Sequence, residues 1–245
     1  MFWILSLIIG AGVGSFVNVL AARVVAGQSI ILPRSFCDSC AKPLFRRDMI
    51  PIFSALLLKF KCRFCKQKFS WQHPIVEAIT AILFTAAYFQ VGDFSWQLIF
   101  MWFAIMFLIA LFLTDIRAML LPDHITLPAI AIILLIDVLF LDVDVKALGL
   151  AVLLGGGFFL VQYVVSKGRW IGSGDIRLGA LMGVILPTWQ TTLLALAIAY
   201  IFGAIIGVYL LISKKQTLES EIAFGTFLVI GTLMVLFCQN YFILI

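Results

Sequence analysis

The sequence predicts an all-α polytopic membrane protein of about eight transmembrane helices, with one water-facing loop domain. Three observations predict it. Of 245 residues, 64% are hydrophobic and only 12% charged, whereas a soluble domain carries about 25% charge. Apolar runs recur along the chain, most of them near the roughly 20 residues that one helical crossing needs. Four of the five cysteines fall in two Cys-x-x-Cys pairs inside the one sizeable polar stretch. This composition excludes a disordered chain and a secreted disulfide scaffold.

The apolar runs lie at about 2–20, 74–91, 96–114, 125–141, 147–165, 178–186, 191–212 and 222–236, with an apolar tail to Ile245. The run 178–186 is too short to span alone and is expected to begin at Asp175 as a short or tilted helix. The first run has no basic residue before it and a basic cluster after it, so it reads as an uncleaved anchor rather than a signal peptide. Gly10, Gly12, Gly14 and Ser15 on that run suit close packing against another helix. Asn18 on the same run needs a polar partner.

Lys and Arg set the direction, because cytoplasmic loops collect them. Ten of the seventeen lie between Arg23 and Lys68. With that segment inside, Arg117, then Lys167, Arg169 and Arg177, then Lys214 and Lys215 also fall inside, and only Lys146 falls outside. Asp93, Asp142 and Asp144 mark the outer loops, and both termini are external. The net charge of +5 is thus a topology signal, and no nucleic-acid partner is expected. The expected organisation is a first transmembrane helix at 1–25, a cytoplasmic loop domain at 26–73 and a multi-helix membrane domain at 74–245.

In the loop domain, Cys37-x-x-Cys40 and Cys62-x-x-Cys65 stand 21 residues apart. Two tight turns of this kind close four thiolates around one ion, most characteristically zinc. A cytoplasmic location argues against disulfides. Four ligands leave no open position, so the ion would fold the loop without acting on a substrate. A short loop with little core gains from such a staple. Cys238, in the last run, is expected to be a buried core residue. The basic and aromatic stretch 59–71 suits anionic lipid heads, and His73 reads as an interfacial polar residue.

Acids inside a membrane cost about 2.5–3.5 kcal/mol each on insertion scales and are functional candidates by default. Asp137 is expected to reach water or a polar neighbour near the outer end of its span. Glu77 opens the second span and reads as structural. Asp115 ends the third span in LFLTDIRAMLLPDHITLP, and Asp123 follows just before the fourth. Asp175 closes the loop RWIGSGDIRLGALMG, where Gly172 and Gly174 allow a tight turn. The charge count places all three at the inner face. Two carboxylates there suit water activation: one takes a proton from water while the other, protonated, polarises a scissile carbonyl. Asp123 also suits an ordinary helix N-cap. Helix ends predict Asp115, at a C-terminus, as the protonated partner and Asp175, at an N-terminus, as the base.

These segments resemble the type IV prepilin peptidases, polytopic aspartic proteases of the GxGD type. GVGSFVNVLAAR (12–23) is similar to that family's first-helix signature. PRSFCDSCAKPL, DMIPIFS and KCRFCKQKFSWQHPIVE resemble its cysteine-rich loop. TDIRAMLLPDHITLP and GSGDIRLGALMG resemble its two catalytic segments, and AFGTFLVIG (223–231) its last-helix signature. The resemblance implies that Asp115 and Asp175 are catalytic, with Gly172, Gly174 and Asp123 supporting the catalytic loops, and that Cys37, Cys40, Cys62 and Cys65 bind structural Zn2+. It implies cleavage of a basic leader from type IV prepilins or pseudopilins, after a glycine, at the inner bacterial membrane. It also implies N-methylation of the new amine with S-adenosyl-L-methionine, for which the residues place no binding site. Ala41 departs from the pattern, standing where Gly is frequent, as do Gln67, His73 and the segment 117–119. Rival readings are a presenilin-like protease for other helices, a proton-coupled transporter and a membrane scaffold. Transporter sites usually lie at the midplane between repeats, whereas these acids cluster at one face.

Overall fold

The computed structural model describes residues 2–29, 36–37, 39–43, 45, 48, 50–68, 70–213 and 222–242. Lys214 and Lys215, counted above for topology, lie outside the described residues, as do Arg34, Arg46 and Arg47. Among the described residues the secondary structure is helical: α1 (Phe2–Val25), α2 (Phe53–Leu57), α3 (Gln72–Val91), α4 (Trp96–Ala118), α5 (Asp123–Phe140), α6 (Val145–Ser166), α7 (Ser173–Ile185), α8 (Trp189–Ile212) and α9 (Phe224–Phe242). Every predicted apolar run falls on a helix. Six of these, α1, α3, α4, α5, α6 and α8, are long and apolar enough to cross a membrane. At 1.5 Å per residue, the 13 residues of α7 rise only about 20 Å, short of the ~30 Å hydrocarbon layer.

The chain forms two compact units, Met1–Met106 and Phe107–Ile245. In the first, α1 packs on α3. The contact is made by Gly10 and Gly14, where a Cβ would stand 2.8 Å from Ala81 Cα and from Glu77 Cα respectively. Gly12 faces open space, so only two of the three predicted glycines serve the seam. Asn18 Nδ2 donates to the His73 carbonyl at 3.2 Å, which supplies the partner it needs. Glu77 is buried and accepts the Ile52 N–H at 2.8 Å, tying the start of α2 to α3. That is the structural role expected of it.

In the second unit α7 is the central helix, touched by α5, α6, α8 and α9. Gly179 and Gly183 on α7 meet Gly155 and Ala151 on α6 backbone to backbone. This is the small-xxx-small contact that lets membrane helices approach closely without a hydrophobic drive between them. It buries the length of α7 from Leu178 onward, including Leu181, Met182 and Ile185. Large apolar residues such as Leu153, Val164 and Ile205 are exposed, as expected for surfaces that meet lipid. The buried residues of this unit include Thr114, Thr126, Thr192 and Thr232.

Two expectations are corrected. Asp137 does not reach water or a polar neighbour among the described residues: it is 1% exposed and neither carboxylate oxygen has a hydrogen-bond partner there. Its position on α5 turns it into the bundle rather than outward. Cys238 is exposed rather than buried, because in lipid an apolar side chain gains little by turning inward.

Candidate functional site

Asp115 lies near the end of α4. Its carbonyl accepts the Met119 N–H at 2.7 Å, and Met119 stops the helix in the left-handed region at φ 53°. The Asp115 side chain is 4% exposed. Its Oδ2 accepts the Thr226 backbone N–H at 2.6 Å. Thr226 is in the first turn of α9, where N–H groups have no partner within the helix. Asp115 therefore caps a helix 111 residues away in sequence. Gly225 permits this approach, since a Cβ there would stand 2.8 Å from Asp115 Oδ2.

Asp175 is the third residue of α7 and 8% exposed. Its Oδ2 accepts the Gly172 N–H at 3.1 Å, the reciprocal half of a capping box. Gly172 stands at the N-cap with extended backbone. Gly174 matters for space: a Cβ there would stand 2.8 Å from Leu121 Cβ. The same Leu121 side chain lies against Gly225, 3.2 Å from where its Cβ would be. Leu121 thus bridges the loop of Asp175 and the helix start that holds Asp115. Through Leu121 both acids are tied to one cluster of helix ends.

Asp123 is not the N-cap of α5. That position is Pro122, and Asp123 is the first residue inside, with no side-chain cap bond. Asp123 instead forms an ion pair with Arg177, two residues beyond Asp175. The pair joins the starts of α5 and α7. The helix-end rule for the two acids is also incomplete. Asp115 sits at the C-terminus of its own helix but faces the N-terminus of α9. The two dipoles oppose each other there, so helix ends alone do not assign a shared proton.

In the first unit the four predicted cysteines converge. Cys37, Cys40, Cys62 and Cys65 place their Sγ atoms within 4.8 Å of one another, and Cys37 and Cys65 are 3.8 Å apart. Four thiolates at the ~2.3 Å bond length of a tetrahedral zinc site stand about 3.8 Å apart, so the cluster can hold one metal ion. The two turns repeat each other. Cys37 N–H donates to Lys42 O and Ala41 N–H to Cys37 O; Cys62 N–H donates to Gln67 O and Lys66 N–H to Cys62 O. Single bridges, Phe36 with Pro43 and Lys61 with Lys68, flank them. N–H groups of Cys65 and Phe64 lower the Cys62 thiol to about 6, whereas burial and the neighbouring cysteines raise Cys65 to about 11, so Cys62 is the readier of the two to give the thiolate a metal requires. Arg63 pairs with Asp48 at 2.6 Å.

Sequence reasoning did not single out Thr226, Gly225 or Leu121 as site residues. The signals for the first two were a small-polar Gly-Thr at the start of an apolar helix and their place in the segment AFGTFLVIG. Their role depends on which helix end they face.

Residues 8–91 match the family described as Bacterial Peptidase A24 N-terminal domain, and residues 102–208 match the Type IV leader peptidase family. Three similar relatives each carry the name Prepilin leader peptidase/N-methyltransferase. That of Myxococcus xanthus is 34% identical over 88% of this chain and 65% of its own length. That of Legionella pneumophila is 36% identical over 85% of this chain and 74% of its own. That of Bacillus subtilis is 36% identical over 82% of this chain and 78% of its own. The chain thus spans slightly less than two thirds of the Myxococcus relative's length. No solved structure matches it.

Proposed function

Since the chain belongs to the type IV leader peptidase family, we propose that it cleaves the basic leader from type IV prepilins or pseudopilins, after the glycine that ends the leader. The observation that carries this reading is the burial of two acids, Asp115 and Asp175, each bound by an N–H at the start of a helix. In the reaction one ionised carboxylate removes a proton from water, and the other, protonated, donates to the scissile carbonyl. The water oxygen bonds to the carbonyl carbon, the C–N bond breaks, and the proton passes to the leaving amine. Gly225 leaves room for the Asp115 carboxylate and Gly174 for the Leu121 side chain, and the Asp123–Arg177 pair joins the start of α5 to the start of α7, which carries Asp175.

The distribution of Lys and Arg supports a cytoplasmic position for the dyad and the segment 26–73 in a multi-pass bacterial inner-membrane protein. A basic leader followed by an apolar helix presents its scissile bond at that same level. The reading over a transporter rests on the peptidase family matches. The relatives' names further support N-methylation of the new amine by this chain, with S-adenosyl-L-methionine as methyl donor.

One proton shared by two acids predicts a bell-shaped pH dependence of kcat/KM. The rate of leader release from a purified prepilin between about pH 4 and 9 checks this; a flat profile argues against the dyad.

We assign the metal of the four-cysteine cluster as structural zinc. Ala41 holds φ 55°, a left-handed conformation that costs an L-residue roughly 1–2 kcal/mol. Glycine relieves that strain but loses more entropy on folding. Ala41→Gly is therefore expected to tighten zinc retention by about 0.5–1 kcal/mol net, measured by competition with a chelator. Unchanged or weaker retention would contradict the strain argument.

A further inference from the structure

The geometry points to Gln162 and Tyr200 as the residues that receive the unwound backbone of the substrate, on a face between α6 and α8; this rests on the peptidase reading above. Gln162 Nε2 lies 3.0 Å from the Tyr200 hydroxyl and Gln162 Oε1 lies 3.2 Å from it. Both residues sit within helices apolar enough to cross the membrane. Polar groups in such helices normally turn into the bundle. Here Tyr200 is 36% exposed and Gln162 partly so, among Val161, Val165 and Ile201, which are more exposed still.

The pair is next to the dyad. The Tyr200 ring centroid is 4.9 Å from that of Phe224 and 5.7 Å from that of Phe158. Phe224 directly precedes Gly225 and Thr226, which hold Asp115. The pair is therefore partly exposed on one side and, through Phe224, in contact with the helix start that holds Asp115.

The chemistry explains why a peptidase would keep it there. A helical peptide bond has its carbonyl engaged, so the segment to be cut must unwind. Unwound N–H and C=O groups in a low-dielectric layer need partners. A primary amide offers donors and an acceptor together, and a phenol offers one of each. Before substrate binds, the pair satisfies itself. When substrate binds, it exchanges its mutual bonds for bonds to the peptide backbone.

The test uses the full chain in bilayer nanodiscs with a type IV prepilin as probe. Tyr200→Phe keeps the ring contacts and Gln162→Leu keeps the bulk. Each is expected to raise KM about 3- to 10-fold, with kcat nearly unchanged. A photocrosslinker at Val165 or Ala204, one turn along from the pair on the same faces, should capture the prepilin in an Asp115→Asn background. The same group at Leu135 on α5 should not. Unchanged KM in both variants, or capture from Leu135 alone, overturns the proposal. If the wild type cleaves the prepilin but Val165 and Ala204 capture nothing, the docking face falls and the peptidase reading stands. If prepilin is captured there but never cleaved, the docking face stands and the peptidase reading falls.

Discussion

Asp115→Asn and Asp175→Asn are each expected to abolish leader cleavage while leaving the fold intact. Asn matches Asp in shape and still accepts a hydrogen bond through its carbonyl oxygen. The Thr226 and Gly172 N–H bonds at 2.6 and 3.1 Å can therefore persist. What Asn cannot do is exchange a proton. General acid–base catalysis by a positioned side chain contributes typically about 10²–10⁴-fold, and two acids acting as a unit lose most of it when either is neutralised. Each variant should thus process prepilin at least about 10²-fold more slowly than wild type. Near-wild-type processing by either one would remove that acid from the mechanism. Removing a buried charge also relieves desolvation, so neither variant should melt earlier. A large drop in thermal stability would mean that the acid serves the fold instead.

Gly225→Val carries the second large effect. A Cβ on residue 225 would stand 2.8 Å from Asp115 Oδ2 and 2.9 Å from its Cγ, closer than real side chains pack. Either Asp115 turns away or the start of α9 retreats, and both lengthen the Thr226 bond. A hydrogen bond to a charged group is worth about 1.5–3 kcal/mol. If the bond holds the carboxylate in its working position, kcat/KM should fall roughly 10- to 100-fold. Gly157→Ala is the control, because its Cβ would meet nothing within 4 Å, and it should behave as wild type. Equal activity in both variants would show that α9 does not position Asp115.

Much of this was legible from residue types. Membrane helices announce themselves by apolar length, so each predicted run fell on a helix. The four cysteines declared a metal-sized cluster by spacing alone, because each pair closes its own local turn. Asp115 and Asp175 stood out because charged residues are costly in such segments. The contact of Thr226 with Asp115 was not legible, since it joins residues 111 positions apart and leaves no periodic trace. Burial within the membrane was equally hidden. Asp137 and Cys238 were misjudged because apolar surroundings, inside or outside the bundle, read alike in sequence. Asp123 missed the N-cap position by one residue, since Pro122 supplies the extended backbone there.

Leader cleavage is measured by incubating the purified wild-type chain, in bilayer nanodiscs, with a type IV prepilin and weighing the product by mass spectrometry. The Bacillus subtilis relative serves as positive control. The expected product is shortened by its leader, with the new N-terminus directly after the leader's last glycine. A prepilin left intact by this chain, under conditions where the relative cleaves it, would show that the chain is not a prepilin peptidase.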